Sequence, residues 1–509
     1  MKKSLILVLI ILFSGIQIVY GQSKQAKEYL KDGNYIDALT LLLKSYKIHP
    51  ESMELSHDIA VCYLNTNINR KAALLYIEKV YELSGDKVNT DVIYEYALAL
   101  TYHYKYKDAE KLFIEYQTKE KNGKYSKVVS RNISNCKSAP LLLAKPLNVT
   151  YKNLGNKINT KFPDYYPFVS KNDSILYFTS RRQGNLGGSK EFDGYYPADI
   201  FYFLLHKNLA KAKNIGKKLN TVGDDQVVGI SNDGTKLFVY FDVVDHFGDI
   251  YMSENIDGNF SRNFKLNSTI NSKHLETSAS LSADGNTLFF SSDRPGGEGG
   301  LDLYMARKLP DGNWGLAQNL GKTINTPYNE DFPQLSDDGN TLYFSSTGLP
   351  GMGGADIYHS NWYPELNSWS IPTNIGYPIN TPSDNMTISF SINEKYAYIS
   401  ANREDSFGDQ DIYRVEFHDG KGSKAVFIYK ISGRVDESNL ELVVNNMNNE
   451  IIGIYRPNTK GNFIVILEAG NYVIDLENIV TNNLIYTEKL KVNSQNFLNI
   501  TNFKTIKLD

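Results

Sequence analysis

Five acidic residues recur at one place in the middle of this 509-residue chain: Asp164, Asp225, Glu276, Glu330 and Asp384. The first four each follow, by five residues, the Asn of an Ile/Leu-Asn-Thr/Ser element, and Asp384 follows by four. Carboxylates gathered in one place repel unless a counter-charge or hydrogen-bond donors lie between them. Their available chemistry is therefore to hold a cation or a basic partner segment. The competing use is local, through bonds to backbone turns or to Arg181, Arg294 and Arg403 in the following strands. A second set of acids opens the triplets Asp199-Ile200-Phe201, Asp249-Ile250-Tyr251, Asp302-Leu303-Tyr304, Asp356-Ile357-Tyr358 and Asp411-Ile412-Tyr413. A short acid before a strand caps backbone N–H groups and fixes the turn, which is the reading adopted for these.

Other catalytic patterns are missing from the sequence. The eight histidines, from His49 to His418, are scattered and form no H-E-x-x-H spacing, and no G-x-S-x-G elbow occurs. Cys62 and Cys136 are the only thiols, so neither a disulfide framework nor a cysteine-based zinc site can be built. They read as two buried thiols, with a bond between them open to an oxidising compartment. The stretches Pro295–Gly300 and Pro350–Gly354 are Gly-rich but lack the lysine, serine and following helix of a phosphate loop, and read as hairpin loops. No enzyme activity, metal or cofactor is expected. With 54 basic and 57 acidic residues mixed along the chain and a net charge of -3, no nucleic-acid partner is expected either.

The elements that position the acids repeat. Between residues 145 and 417, Asn-Leu/Ile-Gly followed by Ile/Leu-Asn-Thr/Ser occurs at Asn153 to Thr160, Asn214 to Thr221, Asn319 to Thr326 and Asn374 to Thr381, while the third copy keeps only Ile270-Asn271-Ser272. Polar turns such as Ser282-Ala283-Asp284-Gly285 and Ser336-Asp337-Asp338-Gly339 then lead into apolar strands. Gly accepts the positive φ of a tight hairpin, so each unit holds four short strands, the signature of a propeller blade. Unit five lacks a fourth strand and a spare one, Leu147–Asn153, precedes unit one. This predicts five blades closed by that spare strand, which avoids open sheet edges. The S-x-D-G-x-x-L-x-F-x-S-x-R core resembles PD40 repeats, the WD40-like blades of the TolB family.

Within a first domain of residues 22–144, residues 22–117 carry a helical period, with Gly33-Asn34-Tyr35 and Ala38 in its clearest copy, Ala60, Tyr63 and Ala72 in the second, and Ala97, Tyr106 and Ala109 in the third. Lys127–Leu143 reads as a capping helix. The pattern resembles the tetratricopeptide repeat, which implies an all-α stack with a groove for an extended peptide. Groove positions would be Lys27, Lys31, His57, Asn65, Tyr94 and Tyr102. Residues 425–509, with Ile431-Ser432-Gly433-Arg434-Val435, Gly461-Asn462-Phe463 and Gly470-Asn471-Tyr472, look like a carboxypeptidase-regulatory-like (transthyretin-like) β-sandwich. Residues 1–21 read as a signal peptide: Lys2 and Lys3, an apolar run from Leu5 to Phe13, and Val19-Tyr20-Gly21 before the cut. No other segment reads as membrane-spanning.

The expected architecture is therefore multidomain: a tetratricopeptide-repeat stack, a five-bladed propeller and a small sandwich. That order is similar to a family of Bacteroidetes periplasmic proteins associated with type IX secretion and gliding machinery. Its members commonly add an OmpA-like peptidoglycan-binding domain, which this sequence lacks. The resemblance implies a non-enzymatic periplasmic scaffold bound to an outer-membrane barrel protein or lipoprotein. The alternative is a propeller that binds or senses a glycan or peptide.

Overall fold

The computed structural model describes residues 24–508 except 171–172, 208–210, 232, 244–245, 257–258, 393, 419–424, 434–438, 482 and 494–501. The proposed signal peptide and most of the polar linker after Phe417 lie outside the described residues. The chain divides into two compact units. One holds the helices up to Ala144 together with Gly188–Pro197 and Pro350–Gly353, and the other holds the rest.

The helical unit contains α1 (24–31), α2 (Tyr35–Tyr46), α3 (Met53–Leu64), α4 (Ala73–Ser84), α5 (Thr90–Tyr102), α6 (Tyr106–Lys119) and α7 (Ser126–Leu143). Asn34 and Ser52 cap α2 and α3 by accepting the N–H of Asp37 and Leu55. Ala26, Ala38, Leu42, Ile59 and Cys62 close one core, and both cysteines are buried free thiols. No described helix is long and apolar enough to cross a membrane.

The expected tetratricopeptide-repeat stack is not what forms. Among the described residues, helix makes up only 22% of the chain, in seven helices within the N-terminal region, and no long repeat stack is present. The helix starts Tyr35, Ala73 and Tyr106 are unevenly spaced, and one-turn 3-10 segments at Arg70–Ala72 and Gly85–Lys87 interrupt the connections. Alternating small and large residues mark any closely packed helix pair, so the period alone did not specify that repeat.

In the second unit, five antiparallel sheets follow one another, three of four strands and two, in blades two and four, with a fifth short strand. Blade one is Asp164–Val169, Ile175–Ser180, Asp199–Leu204 and Lys213–Asn214. Blade two runs Asp225–Ile230, Lys236–Val243, His246–Ile256 and Phe264–Lys265. Blade three has Glu276–Leu281, Thr287–Ser292, Asp302–Arg307 and Gln318–Asn319; blade four has Glu330–Leu335, Thr341–Ser346, Asp356–Tyr363 and Thr373–Asn374. Gly285 and Gly339 take φ of +72° and +76° in the first hairpin turns, where Asp284 and Asp338 accept the N–H of Asn286 and Asn340.

Blade five takes Ile388–Phe390, Tyr396–Ala401 and Asp411–Phe417 from one end of the repeat region and Val149–Asn153 from the other. The register runs from Val149 opposite Phe417 to Asn153 opposite Tyr413. Tyr166 of blade one and Phe332 of blade four meet with ring centroids 4.4 Å apart. These blades are not neighbours in a ring of five, so the two rings meet across the axis. Beyond residue 424, sheets of three and four strands enclose Phe427, Tyr429, Leu442, Phe463 and Ile474 as a separate core. They form a sandwich.

The closing strand is anchored by Tyr151, whose ring lies 3.8 Å from the Arg403 guanidinium carbon and 6.3 Å from the Tyr413 ring. Replacing Tyr151 by Ala should destabilise the propeller by roughly 2 kcal/mol, less than for a fully buried aromatic because Tyr151 is only half-buried. Urea denaturation would measure this, and an unchanged midpoint would show that the strand does not hold the ring shut.

Candidate functional site

The repeated residues assemble at the seams between blades. Each Asn of the Ile/Leu-Asn element is buried and clasps the third strand of the preceding blade through both faces of its amide. Asn220 accepts the N–H of Ile200 at 2.9 Å and donates to its carbonyl at 3.1 Å. Asn271 does the same with Ile250, at 2.9 and 2.8 Å, and Asn325 with Leu303, at 2.8 and 3.0 Å. Asn380 holds Ile357 at 2.8 Å on both sides, and Asn159 closes the circle on Ile412 at 2.8 and 3.0 Å. The upstream Asn of Asn-Leu/Ile-Gly orients this amide: Asn153, Asn214, Asn319 and Asn374 accept from it at 2.8–2.9 Å.

The acids sit on the next turn, fully buried. Asp164 accepts the N–H and hydroxyl of Thr160 at 2.6 and 2.9 Å. Asp225 accepts both groups of Thr221, Glu276 both of Ser272, and Glu330 both of Thr326. Guanidinium groups reach two of them, Arg182 on Asp164 at 2.5 Å and Arg294 on Glu276 at 3.0 Å. The cation on Asp164 is thus Arg182, one residue beyond the expected Arg181, and Arg403 instead covers Tyr151.

Asp384 does not belong to this set. In blade five the equivalent place is held by Asn385, which accepts the N–H of Thr381 at 2.8 Å and lies within 3.3 Å of its hydroxyl. Asp384 instead accepts the Ala355 N–H of blade four at 3.0 Å, as Asp224 does for Ala198 and Asn329 for Leu301. A search for charge passes over Asn385; a search for an acceptor four residues after the Thr finds it. Each acid is thus satisfied within its own turn, and among the described residues no group of three or more His, Cys, Asp or Glu is placed to hold a metal ion.

Three of the five triplet acids serve as caps, whereas Asp249 pairs with Lys265 at 2.5 Å. Asp199 accepts the Leu186 N–H and the Asn214 amide, Asp302 the N–H groups of Glu298 and Gly299, and Asp411 the Phe407 N–H.

The expected groove residues in the helical unit are not gathered on one open surface. Tyr94 and Tyr102 are core residues: Tyr94 stacks on Tyr125 at 3.9 Å and accepts from Asn132, while Tyr102 accepts from Arg70. Asn65 donates to the Val61 carbonyl at the end of α3. Lys27 pairs with Glu54 and Lys31 is exposed. His57 lies 2.7 Å from the buried Glu95, whose hydrogen bond raises the imidazole above its ordinary pKa.

Comparison with known proteins adds little at the sequence level: no family model and no curated protein matches. Among solved structures, the chain is similar to TolB from Acinetobacter baumannii, with 14% identity over 60% of this chain and 66% of that one, at a TM-score of 0.31. A putative TolB from Agrobacterium tumefaciens matches at 15% identity over 51% and 78%, with a TM-score of 0.30. An α-L-arabinofuranosidase from Lactobacillus brevis matches at 14% over 54% and 93%, with a TM-score of 0.34.

Burial pushes Asp225 and Glu330, which have no guanidinium partner in their turns, up to about 7. The folded state then keeps two protons that the unfolded chain releases near pH 4. Unfolding releases those protons between about pH 4 and 7, so stability falls as pH rises through that window. The double variant Asp225→Asn, Glu330→Gln should fold, since Asn385 already does this work as an amide, and should flatten the fall. Urea midpoints at pH 5 and 8 would decide; an unchanged slope would sink this assignment. Asn325→Ala should cost about 1–3 kcal/mol by leaving the Leu303 N–H buried without a partner, while the Leu303 carbonyl keeps the Leu320 N–H, read in the same denaturation assay.

Proposed function

We propose that this protein is a binding scaffold rather than a catalyst, exported to the periplasm and recruited to the outer membrane by protein partners. The observation that carries this reading is the use of the repeated carboxyls. Buried, and bonded to Thr or Ser of their own turns, they act as structural caps and leave the propeller to work through its outer surface. The resemblance of the propeller repeats and of the C-terminal sandwich to those of type IX secretion and gliding-associated proteins supports the location and the kind of partner, an integral barrel protein or its lipoprotein.

A contact surface is offered by the outer rim of the propeller. Leu316 and Ile371 occupy the same place in blades three and four, three residues before the outer-strand Asn, and are 82% and 83% exposed. Large aliphatic side chains left in water at equivalent positions suit a partner contact. Crosslinking in the native envelope followed by capture of this chain should recover an outer-membrane protein, and the Leu316→Asp, Ile371→Asp variant should lose it while unfolding at the same urea concentration. If the chain stays with the envelope after every captured partner is deleted, or fractionates as freely soluble in wild-type cells, recruitment is wrong.

A further inference from the structure

Blade four carries an elaboration at the outer end of its third strand. Asp356–Tyr363 extends into a second pairing with Ser368–Trp369, which sets Trp362 opposite Trp369 across a turn at Pro364–Leu366. The two indoles lie 5.2 Å apart at 61°, and Trp369 meets Phe289 of blade three edge-on at 6.0 Å. Trp314 makes the equivalent bridge in blade three, to Lys308, and is 7% exposed. Trp362 and Trp369 are instead only half-buried, because they border a cleft of about 410 Å³ between blades three and four and the sandwich. Arg307 and the hairpin-turn acids Asp284 and Asp338 line the propeller side, and Arg456 lines the sandwich side.

We propose that this cleft binds a short, uncharged oligosaccharide. The C–H face of a sugar ring is apolar and seats on an indole, while its hydroxyls need both donors and acceptors around the edge; the cleft supplies both. Asp284 is held by the Ser282 hydroxyl at 2.6 Å and Asp338 by the Ser336 hydroxyl at 2.5 Å, so each carboxylate is fixed in direction and keeps lone pairs for a further hydrogen bond. The Arg307 guanidinium donates to the Thr287 hydroxyl at 3.0 Å through one of its five N–H groups. Acids and arginines stand together on the walls, which favours a neutral ligand over a phosphate or a cation. The volume falls in the range of about 300–1,000 Å³ usual for small-ligand sites. This site is separate from the rim surface proposed above for protein partners, and stands or falls without it.

Two of the three tryptophans in the chain line the cleft, so indole emission reports on it directly. The test is a titration of the full chain with neutral di- to tetrasaccharides of glucose, xylose, mannose, arabinose and N-acetylglucosamine, beside uncharged tetrapeptides, with calorimetry to confirm affinities. A saturable emission change with at least one sugar series and with no peptide is expected. Trp362→Ala should weaken that binding about tenfold, the loss of one good aromatic contact, and Trp362→Phe should retain most of it. Thermal midpoints equal to the parent's would show that both variants fold. Failure of every sugar to bind, binding of peptides alone, or sugar binding unchanged in a folded Trp362→Ala would overturn the proposal.

Discussion

The propeller depends on five buried asparagines. Apolar packing between blades is strong but carries little direction, and a ring closes only if every seam has the same tilt. Asn159, Asn220, Asn271, Asn325 and Asn380 supply that direction, because a primary amide can donate to a carbonyl and accept from an N–H of one residue at the same time. Rotating any of these amides by half a turn would set donor against donor in a dry seam, so each blade has one orientation on its neighbour. The third repeat makes the point by subtraction. It lacks the Asn-Leu-Gly that precedes the clasp elsewhere, yet Asn271 still grips Ile250 and takes the Leu266 carbonyl as a substitute partner.

The acids follow from this constraint. The turn after each clasp points an N–H and a hydroxyl inward, and something must accept both. An acid paired to arginine does so in blades one and three, an acid without a guanidinium in its turn in blades two and four, and an amide in blade five. What the position demands is an acceptor of the right length. Charge is incidental to it, and three electrostatic settings serve one geometry.

Much of the propeller was legible in the chain, because periodic elements report a periodic fold: Asp284-Gly285 and Asp338-Gly339 announced hairpins, and the spare strand before unit one pointed to the closure. The site was less legible. Sequence places Asp164 and Glu276 at equivalent points but says nothing of whether they face water, and reading for charge selected Asp384 where Asn385 does the work. Arg181 and Arg182 differ by a single residue, which in an extended segment is the difference between opposite faces. In the helical unit, alanines at regular intervals reported only close helix contact, and Tyr94 and Tyr102 proved to be core. The cleft had no signature at all, since Asp284, Trp362 and Arg456 lie far apart in the chain and meet only when the sandwich is in place.

The closing of blade five also bears on how the molecule carries tension. Val149 and Phe417 are opposite one another, so the chain enters and leaves that strand pair at the same end. A pull between the segment before Lys145 and the segment after His418 would thus act on the seam as a zipper, loading one hydrogen bond at a time instead of sharing the strain along the strand. The end where peeling would start is the one with added fastenings: Leu147 N–H to the Tyr377 carbonyl at 2.7 Å, His418 N–H to the Asn148 carbonyl at 3.0 Å, and the Thr150 hydroxyl 2.6 Å from the His418 ring. These bonds make the first tooth of the zipper the hardest to open, and once it gives, the whole ring is exposed to mechanical failure.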